Sequence, residues 1–442
     1  MLVACLAFLL APAQAPAPVG RFDKRPAVDD TGPQLVLREV EILARGPVHE
    51  AYAAAGAGLN FSGNHVVHAA PPAPLVEIPP GVGTTPTQVW IPGYWERDAE
   101  DNTWIWVSGC WREPPIGFGW LPGYWAQVRA NQWRRVSGLW WRGDGDSFML
   151  QYTPAPPQAG PANGSGPPRL DPRDPRNKGL FFSPGGWDWN GNRYGWRPGR
   201  LERLAESQLW QEQRQTWTPA GYLPCEDHID HRLNHRGVAY APLRPVVKPG
   251  APAPNPAADQ AVEAVQPTGV WNTNAWLECS WRDRLGNYYL GDYYNPVWAK
   301  NGFVPARDAR RRHGDPWLQS IEEQSGADDA TLRALNARHN ERARGREQPP
   351  PRVARFDQPP PAGETRLVLP AGRLDPSDPA AEQLVRMALE VVDHQNRLIR
   401  ARMDLEQVGL EGKRVQLKTP PPAKPEEVGE SQTPIQPAQS KK

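Results

Sequence analysis

The chain has 442 residues, and its 50 Lys and Arg are balanced by 49 Asp and Glu. The two signs are interleaved, with no basic face or stripe of the kind that phosphate contacts require, which argues against a nucleic-acid binder. Its 53 prolines and 40 glycines make up about a fifth of the residues, against an average of roughly an eighth. That composition predicts one folded region of moderate size, surrounded by linkers and a polar tail.

Residues 1–15 resemble the core of a secretory signal peptide. Leu2 to Leu10 is apolar, and Ala11-Pro12-Ala13 or Ala13-Gln14-Ala15 could be cleaved. The run is too short to span a bilayer. The basic leader that normally precedes it is missing, and Leu2-Val3-Ala4-Cys5 as a lipoprotein box is the weaker reading. Export to the periplasm, cell surface or medium is expected, with no transmembrane span. If Cys5 leaves with the signal, Cys110, Cys225 and Cys279 remain. One bridge with a free thiol and three reduced cysteines are both open readings.

Residues 16–87 are rich in Ala and Pro. Leu35 to Leu43 reads as strand or helix, and a short helical stretch is expected within Gly46 to Tyr52. The sequence then changes character. Fifteen of the 20 tryptophans fall between Trp90 and Trp217, in a repeat region spanning 88–245. The units are Trp90-Ile-Pro-Gly-Tyr-Trp95, Trp106-Val-Ser-Gly-Cys-Trp111, Trp120-Leu-Pro-Gly-Tyr-Trp125 and Arg135-Val-Ser-Gly-Leu-Trp140. After a gap come Phe182-Ser-Pro-Gly-Gly-Trp187 and Trp196-Arg-Pro-Gly-Arg-Leu201.

A glycine about every fifteen residues fits one strand plus one turn, as in an antiparallel meander. Turn chemistry such as Asn190-Gly191 supports hairpins. Strands are expected over 88–95, 103–111, 118–126, 132–141, 180–188 and 193–200. Proline cannot donate to a ladder, so Pro92-Gly93 should form a bulge that brings Trp90 and Trp95 onto one face. Each repeat glycine (Gly93, Gly109, Gly123, Gly185, Gly199) leaves room for an indole of the neighbouring strand to lie across it. Trp90, Trp106, Trp120, Trp187 and Trp196 are therefore read as packing residues. A competing reading makes Trp95, Trp111 and Trp125 an exposed platform that stacks on sugar rings.

A further piece runs from Trp217 to Leu243, and 246–268 is a Pro/Ala linker. Residues 269–320 are aromatic-rich, and 321–376 are a charged helix and linker. A last helix over 377–409 is marked by Asp378 as cap, Pro379 at the first turn and Gly409 at the end. Its apolar seam (Leu384, Met387, Val391, His394, Leu398, Ala401, Leu405, Val408) suits either self-association as a coiled coil or docking on the protein's own sheet. Residues 410–442 are expected to be a disordered tail.

Signals for chemistry are sparse. Cys225, His228, His231 and His235 include metal-capable ligands, but their spacing matches no strong zinc motif. Histidines of a polar surface turn are the preferred reading, and no metal or cofactor is assigned. The acid pairs Asp98/Glu100/Asp101 and Asp227/Asp230 lie in expected turns. No nucleophile elbow, phosphate loop, zincin or dinucleotide fingerprint is present.

The repeat units from Trp90 to Trp125 resemble the WXXGXW (YXWGXW) repeat proteins common in planctomycete bacteria. Arg45 to Ala51, Arg236 to Pro242 and Tyr288 to Pro296 are similar to segments of the long members, so the resemblance covers about 35 to 320. It implies a secreted protein with no established activity, cofactor or catalytic residues. Arg135 and Leu201 stand where the pattern has tryptophan, which predicts an irregular end to the sheet. Cys225 to His235 stands where aromatic residues are usual.

The expected protein is thus mainly β, with Trp-rich meander repeats, Pro-rich linkers, a C-terminal helix and a tail. Its expected role is structural or interactive at the cell envelope or beyond it. A carbohydrate or cell-wall polysaccharide binding module is the alternative, and an uncharacterised hydrolase the third reading.

Overall fold

Where the sequence repeats its tryptophan unit, two successive units make one hairpin. In the first, Tyr94–Asp98 pairs with Thr103–Val107 and Val89–Ile91 pairs with Cys110–Arg112. This register sets Trp95 opposite Trp106 and Trp90 opposite Trp111. In the second, Tyr124–Arg129 pairs with Gln132–Val136 and Phe118–Leu121 with Leu139–Arg142, so that Trp120 faces Trp140 and Trp125 faces Arg135. In the third, Gly186–Trp189 pairs with Tyr194–Arg197 and Leu180–Ser183 with Arg200–Arg203, with Trp187 opposite Trp196 and Phe182 opposite Leu201. Asn102 (φ 50°), Asn131 (φ 56°) and Gly191 (φ 95°) supply the left-handed turn conformations that close the three tips.

The computed structural model describes residues 40–53, 66–157, 175–245, 261–264, 273–308, 321–349 and 379–422, apart from 82, 84, 99, 101, 178, 184, 284, 285, 323 and 324. The expected signal peptide, nearly all of the 246–268 linker and the linker up to 376 lie outside the described residues. Those described fall in one unit, Val36–Lys442. It is mainly β, built of small sheets of two to four strands.

The repeat differs from the expected strand in one respect. Pro92-Gly93 does not bulge within a continuous strand. It breaks the strand, and Ser108-Gly109 breaks the partner at the same level, so each hairpin carries two short ladders. Close approach of the rings is the physical reason. A Cβ on Gly93 would lie 2.7 Å from the Trp106 ring and 2.3 Å from Val107 O. One on Gly109 would lie 2.6 Å from the Trp90 ring and 2.5 Å from Ile91 O. The expected indole-over-glycine contact is therefore present in both directions. It recurs with Trp120 over Gly138, Trp196 over Gly185 and Phe182 over Gly199, while at Gly123 the Arg135 side chain takes the place of the indole. Trp95 and Trp106 enter one core cluster and Trp90 and Trp111 another. Gly109→Ala is expected to lower stability by about 1–3 kcal/mol through overpacking, read as a lower urea midpoint with unchanged slope.

A fourth hairpin follows without the glycine pattern. Gln208–Gln211 pairs with His228–His231 and Arg214–Thr218 with Gly221–Cys225. The break is kept between Gln211 and Arg214, so the architecture outlasts its sequence signature. Strands from elsewhere stitch the hairpins together. Gly237–Ala239 adds to Cys110–Arg112, Val66–Val67 to Trp133 and Arg134, and Leu243–Pro245 joins Val40–Ile42 to Trp106.

At the C-terminus the helix takes one of its two expected arrangements, and one segment beyond it departs from expectation. The helix spans Pro379–Leu405 and docks on its own chain. Met387 and Val391 pack against Trp90, Trp111 and Tyr240, while Leu398, Ala401 and Leu405 join Leu121, Leu139 and Leu150. Only the end of the seam, Val408, stays open to solvent. Beyond it, Arg414–Lys418 is a strand rather than tail, paired in antiparallel register with Ser147–Gln151. Alternating Val415 and Leu417, the latter buried, gave that signal.

Candidate functional site

The aromatic platform of the competing reading does not form. Trp95 and Trp111 are each only 6% exposed. Trp125 is half-buried, stands edge-on to Trp104 with centroids 5.2 Å apart, and donates its Nε1 proton to Trp95 O at 2.8 Å. The ring pairs Trp95–Trp106, Trp90–Trp111 and Trp120–Trp140 are all edge-to-face, the geometry that the aromatic quadrupole favours. Pairing across the ladder turns these rings toward each other, and no coplanar row is left.

What the structure brings together instead is a set of buried acids at the hairpin breaks. A broken strand leaves amides without a ladder partner. In the first hairpin Glu77, wholly buried, accepts from the Gly109 amide at 2.6 Å and from Trp106 Nε1 at 3.1 Å. In the second, Glu50 accepts from the Gly138 amide at 2.5 Å and pairs with Arg135 at 3.2 Å. Arg135 also lies over the Tyr94 ring. The residue that cost this unit a tryptophan thus fills its space and neutralises its capping acid. Sequence reading missed both acids. The available signal was a single charge in an apolar run, as in Leu75-Val76-Glu77-Ile78.

Burial pushes the Glu77 carboxyl up to about 7, against the hydrogen bonds that favour its ionised form. Because its folded value lies above the ordinary one, this group weakens the fold as pH rises from about 4.5 to about 7 and has no such effect below that window. Ionised Glu77 costs about 3 kcal/mol at the top of the window. Glu77→Gln keeps an acceptor oxygen for Gly109, and is expected to flatten the fall in stability between pH 5 and 7.5 in a series of urea melts.

The second site is a wholly buried triad. Arg112 grips both oxygens of Asp230 at 2.6 and 2.7 Å, and Arg236 reaches Asp230 at 2.7 Å. The two guanidinium groups also donate to Ala51 O and Tyr52 O, and Arg112 stacks over Trp140. Burial opposes ionisation of Asp230, but the two arginines outweigh it and hold the carboxyl at about 2. Of the other acids singled out from sequence, Asp101 lies outside the described residues and the rest are tied in the same way. Asp98 and Glu100 both bind Arg45, and Asp227 binds Arg197. They are held by arginine, and do not face one another across a cleft.

Cys225, His228, His231 and His235 do not converge. The Cys225 thiol donates to Trp140 O, and burial pushes it up to about 12. His228 is stacked on Phe118 with centroids 4.5 Å apart, His231 lies 3.2 Å from Pro114 O, and His235 is exposed. His228 is therefore a buried packing residue rather than part of a surface turn. Among the described residues no group of His, Cys, Asp or Glu is placed to hold a metal ion. Cys110, Cys225 and Cys279 are buried free thiols, which decides between the two expected cysteine states.

A cavity of about 160 Å³ is lined by Glu278, Ser280, Arg307, Asp308, Asn336 and His339. Its polar groups are engaged with their surroundings. Arg307 donates to Asn336 and Leu277 O, His339 meets the Tyr294 hydroxyl at 3.0 Å, and Glu278 pairs with Arg342 at 2.8 Å. Among the described residues no helix is long and apolar enough to cross a membrane. Comparison with protein-family models, curated proteins and solved structures finds no match to this chain.

Proposed function

We propose that this chain is an exported, non-enzymatic repeat protein of the WXXGXW type, acting as a rigid structural or interaction module at the cell envelope or outside it. The observation that carries this reading is the use of the aromatic rings. In the first two hairpins they are paired edge-to-face, and four of their N–H groups are taken up inside the protein. Trp95 donates to Ala73 O, Trp106 to Glu77, Trp125 to Trp95 O and Trp140 to Ala51 O. Each contact ties a repeat to a distant stretch of chain and stiffens the assembly. The titratable groups support the same reading, since the buried acids cap amides or arginines and the buried thiols lie far above the range of a reactive cysteine. Export rests on the leader-like residues 1–15, and the family on the quoted repeat units.

Tryptophan fluorescence of the mature protein, titrated with peptidoglycan fragments and soluble polysaccharides, tests the proposal. A blue, quencher-resistant spectrum indifferent to every glycan is the expected result. A saturable shift with one glycan, lost on replacing surface aromatics without unfolding, would replace the structural role with that of a carbohydrate-binding module.

A further inference from the structure

Four buried arginines of this chain are each answered by a carboxylate. Arg45 grips Asp98 and Glu100, Arg112 and Arg236 share Asp230, and Arg402 grips Glu406. Arg214 is buried too, at 7% exposure, yet it makes no ion pair among the described residues. Its one hydrogen bond runs from Nη2 to Asn287 Oδ1 at 3.5 Å, longer than the usual range. Behind Asn287 stands Asp283, which accepts from the Asn287 amide at 2.8 Å and from its Nδ2 at 2.9 Å. The carboxamide thus separates the cation from that acid. A guanidinium taken out of water without a counter-charge is costly, so this one calls for an anion.

The fourth hairpin sets its surroundings. Arg214 opens the strand Arg214–Thr218 just after the break, directly opposite Cys225. Burial pushes the Cys225 thiol up, and the Arg214 charge works against that push. One position along the same face of the strand, Thr216 is 3% exposed, and its hydroxyl is sealed from solvent with no hydrogen-bond partner. This face therefore carries a cation without an anion and a hydroxyl without an acceptor. No nitrogen of Arg214 is both sealed and unpaired, so the guanidinium meets solvent through a narrow opening.

We propose that Arg214 is the centre of a binding site for a small oxyanion, a phosphate or carboxylate group, which enters by this opening and supplies the missing counter-charge. The planar fork of N–H groups fits two oxygens of such a group. Charge-assisted hydrogen bonds of that kind are about twice as strong as neutral ones. The narrow opening admits the anionic group itself and keeps the body of a larger ligand at the surface. The site does not depend on the structural role proposed above.

The test titrates sodium phosphate, and in a second arm sodium acetate, into the full-length protein by calorimetry. Melting temperatures are followed in parallel, with the anion replacing chloride at constant ionic strength. Saturable binding of at least one anion is expected, with a melting temperature that climbs with the logarithm of its concentration. Arg214→Met puts an apolar chain in place of the guanidinium. It should weaken binding at least tenfold, yet melt at or above the unaltered protein in chloride alone. The general stabilising effect of phosphate on proteins remains in that variant and is subtracted by it. Binding of phosphate without acetate assigns the site to phosphate groups, and the reverse to carboxylates. If neither anion binds saturably, the proposal is overturned and water solvates the guanidinium. Undiminished binding by Arg214→Met protein would overturn it by placing the anion elsewhere. A clear drop in that variant's melting temperature in chloride alone would also sink it, since the guanidinium would then be satisfied within the chain.

Discussion

Asp230→Ala should lower the stability of the protein by about 3–5 kcal/mol, a large share of the roughly 5–15 kcal/mol that holds a typical domain. The substitution leaves Arg112 and Arg236 with no exposed surface and no counter-charge. Neither can return to water without opening the junction of the first hairpin, the Glu50–Ala53 helix and the Gly237–Ala239 strand, because they also donate to Ala51 O, Glu113 O, Tyr52 O and His231 O. Asp230→Asn, which keeps the shape and loses the charge, should lie between the two. Urea titrations at pH 7 measure both. A change below about 1 kcal/mol for the alanine variant would mean that water reaches the arginines. Since Asp230 is held at about 2, its stabilising share is present above about pH 4 and is lost as pH falls toward 2.

Glu406→Ala is expected to act at the other end of the chain with a loss of similar size, about 3–5 kcal/mol. Glu406 is buried and receives three donors at once, Arg402 Nε at 2.9 Å, the Tyr124 hydroxyl at 2.5 Å and the Tyr152 hydroxyl at 2.9 Å. Arg402 continues to Pro122 O at the break of the second hairpin. Removing the acid strands a buried guanidinium and two hydroxyls, and frees the helix to lift from Tyr124. The distinguishing readout is local. Amide exchange should accelerate across Pro379–Leu405 and Ser147–Gln151 before it does so in the first hairpin. Uniform acceleration throughout would show that the helix is no separate unit of opening.

Much of this architecture could be read from the chain because it rests on local chemistry. The pairing of aromatic runs, the turn at Asn190-Gly191 and the indole lying across a side-chain-free glycine all follow from neighbours in sequence. The broken ladder did not follow, because a bulge and a break look alike until the partner strand is known, and here Ser108-Gly109 breaks opposite Pro92-Gly93. The fourth hairpin was hidden since its paired strands, with Trp217 opposite Tyr222, do not repeat the motif. The acids at the breaks were invisible for a different reason. Glu50 and Glu77 matter through groups dozens of residues away, and nothing beside them in sequence announces those partners. Trp95 and Trp111 could be read either as packed or as exposed, for exposure depends on what the rest of the chain lays over them.

The pairing of Arg414–Lys418 with Ser147–Gln151 also fixes an order of events. The earlier strand is made long before its partner, so its outer edge must wait through the synthesis of everything between them. Over that interval it is an open template for other chains. Closure across so wide a separation is slow by comparison with the hairpins, which zip from their own turns. The molecule is therefore assembled from locally formed pieces and locked by its C-terminal end, and any truncation that removes the last strand leaves the hairpins formed but the lock undone.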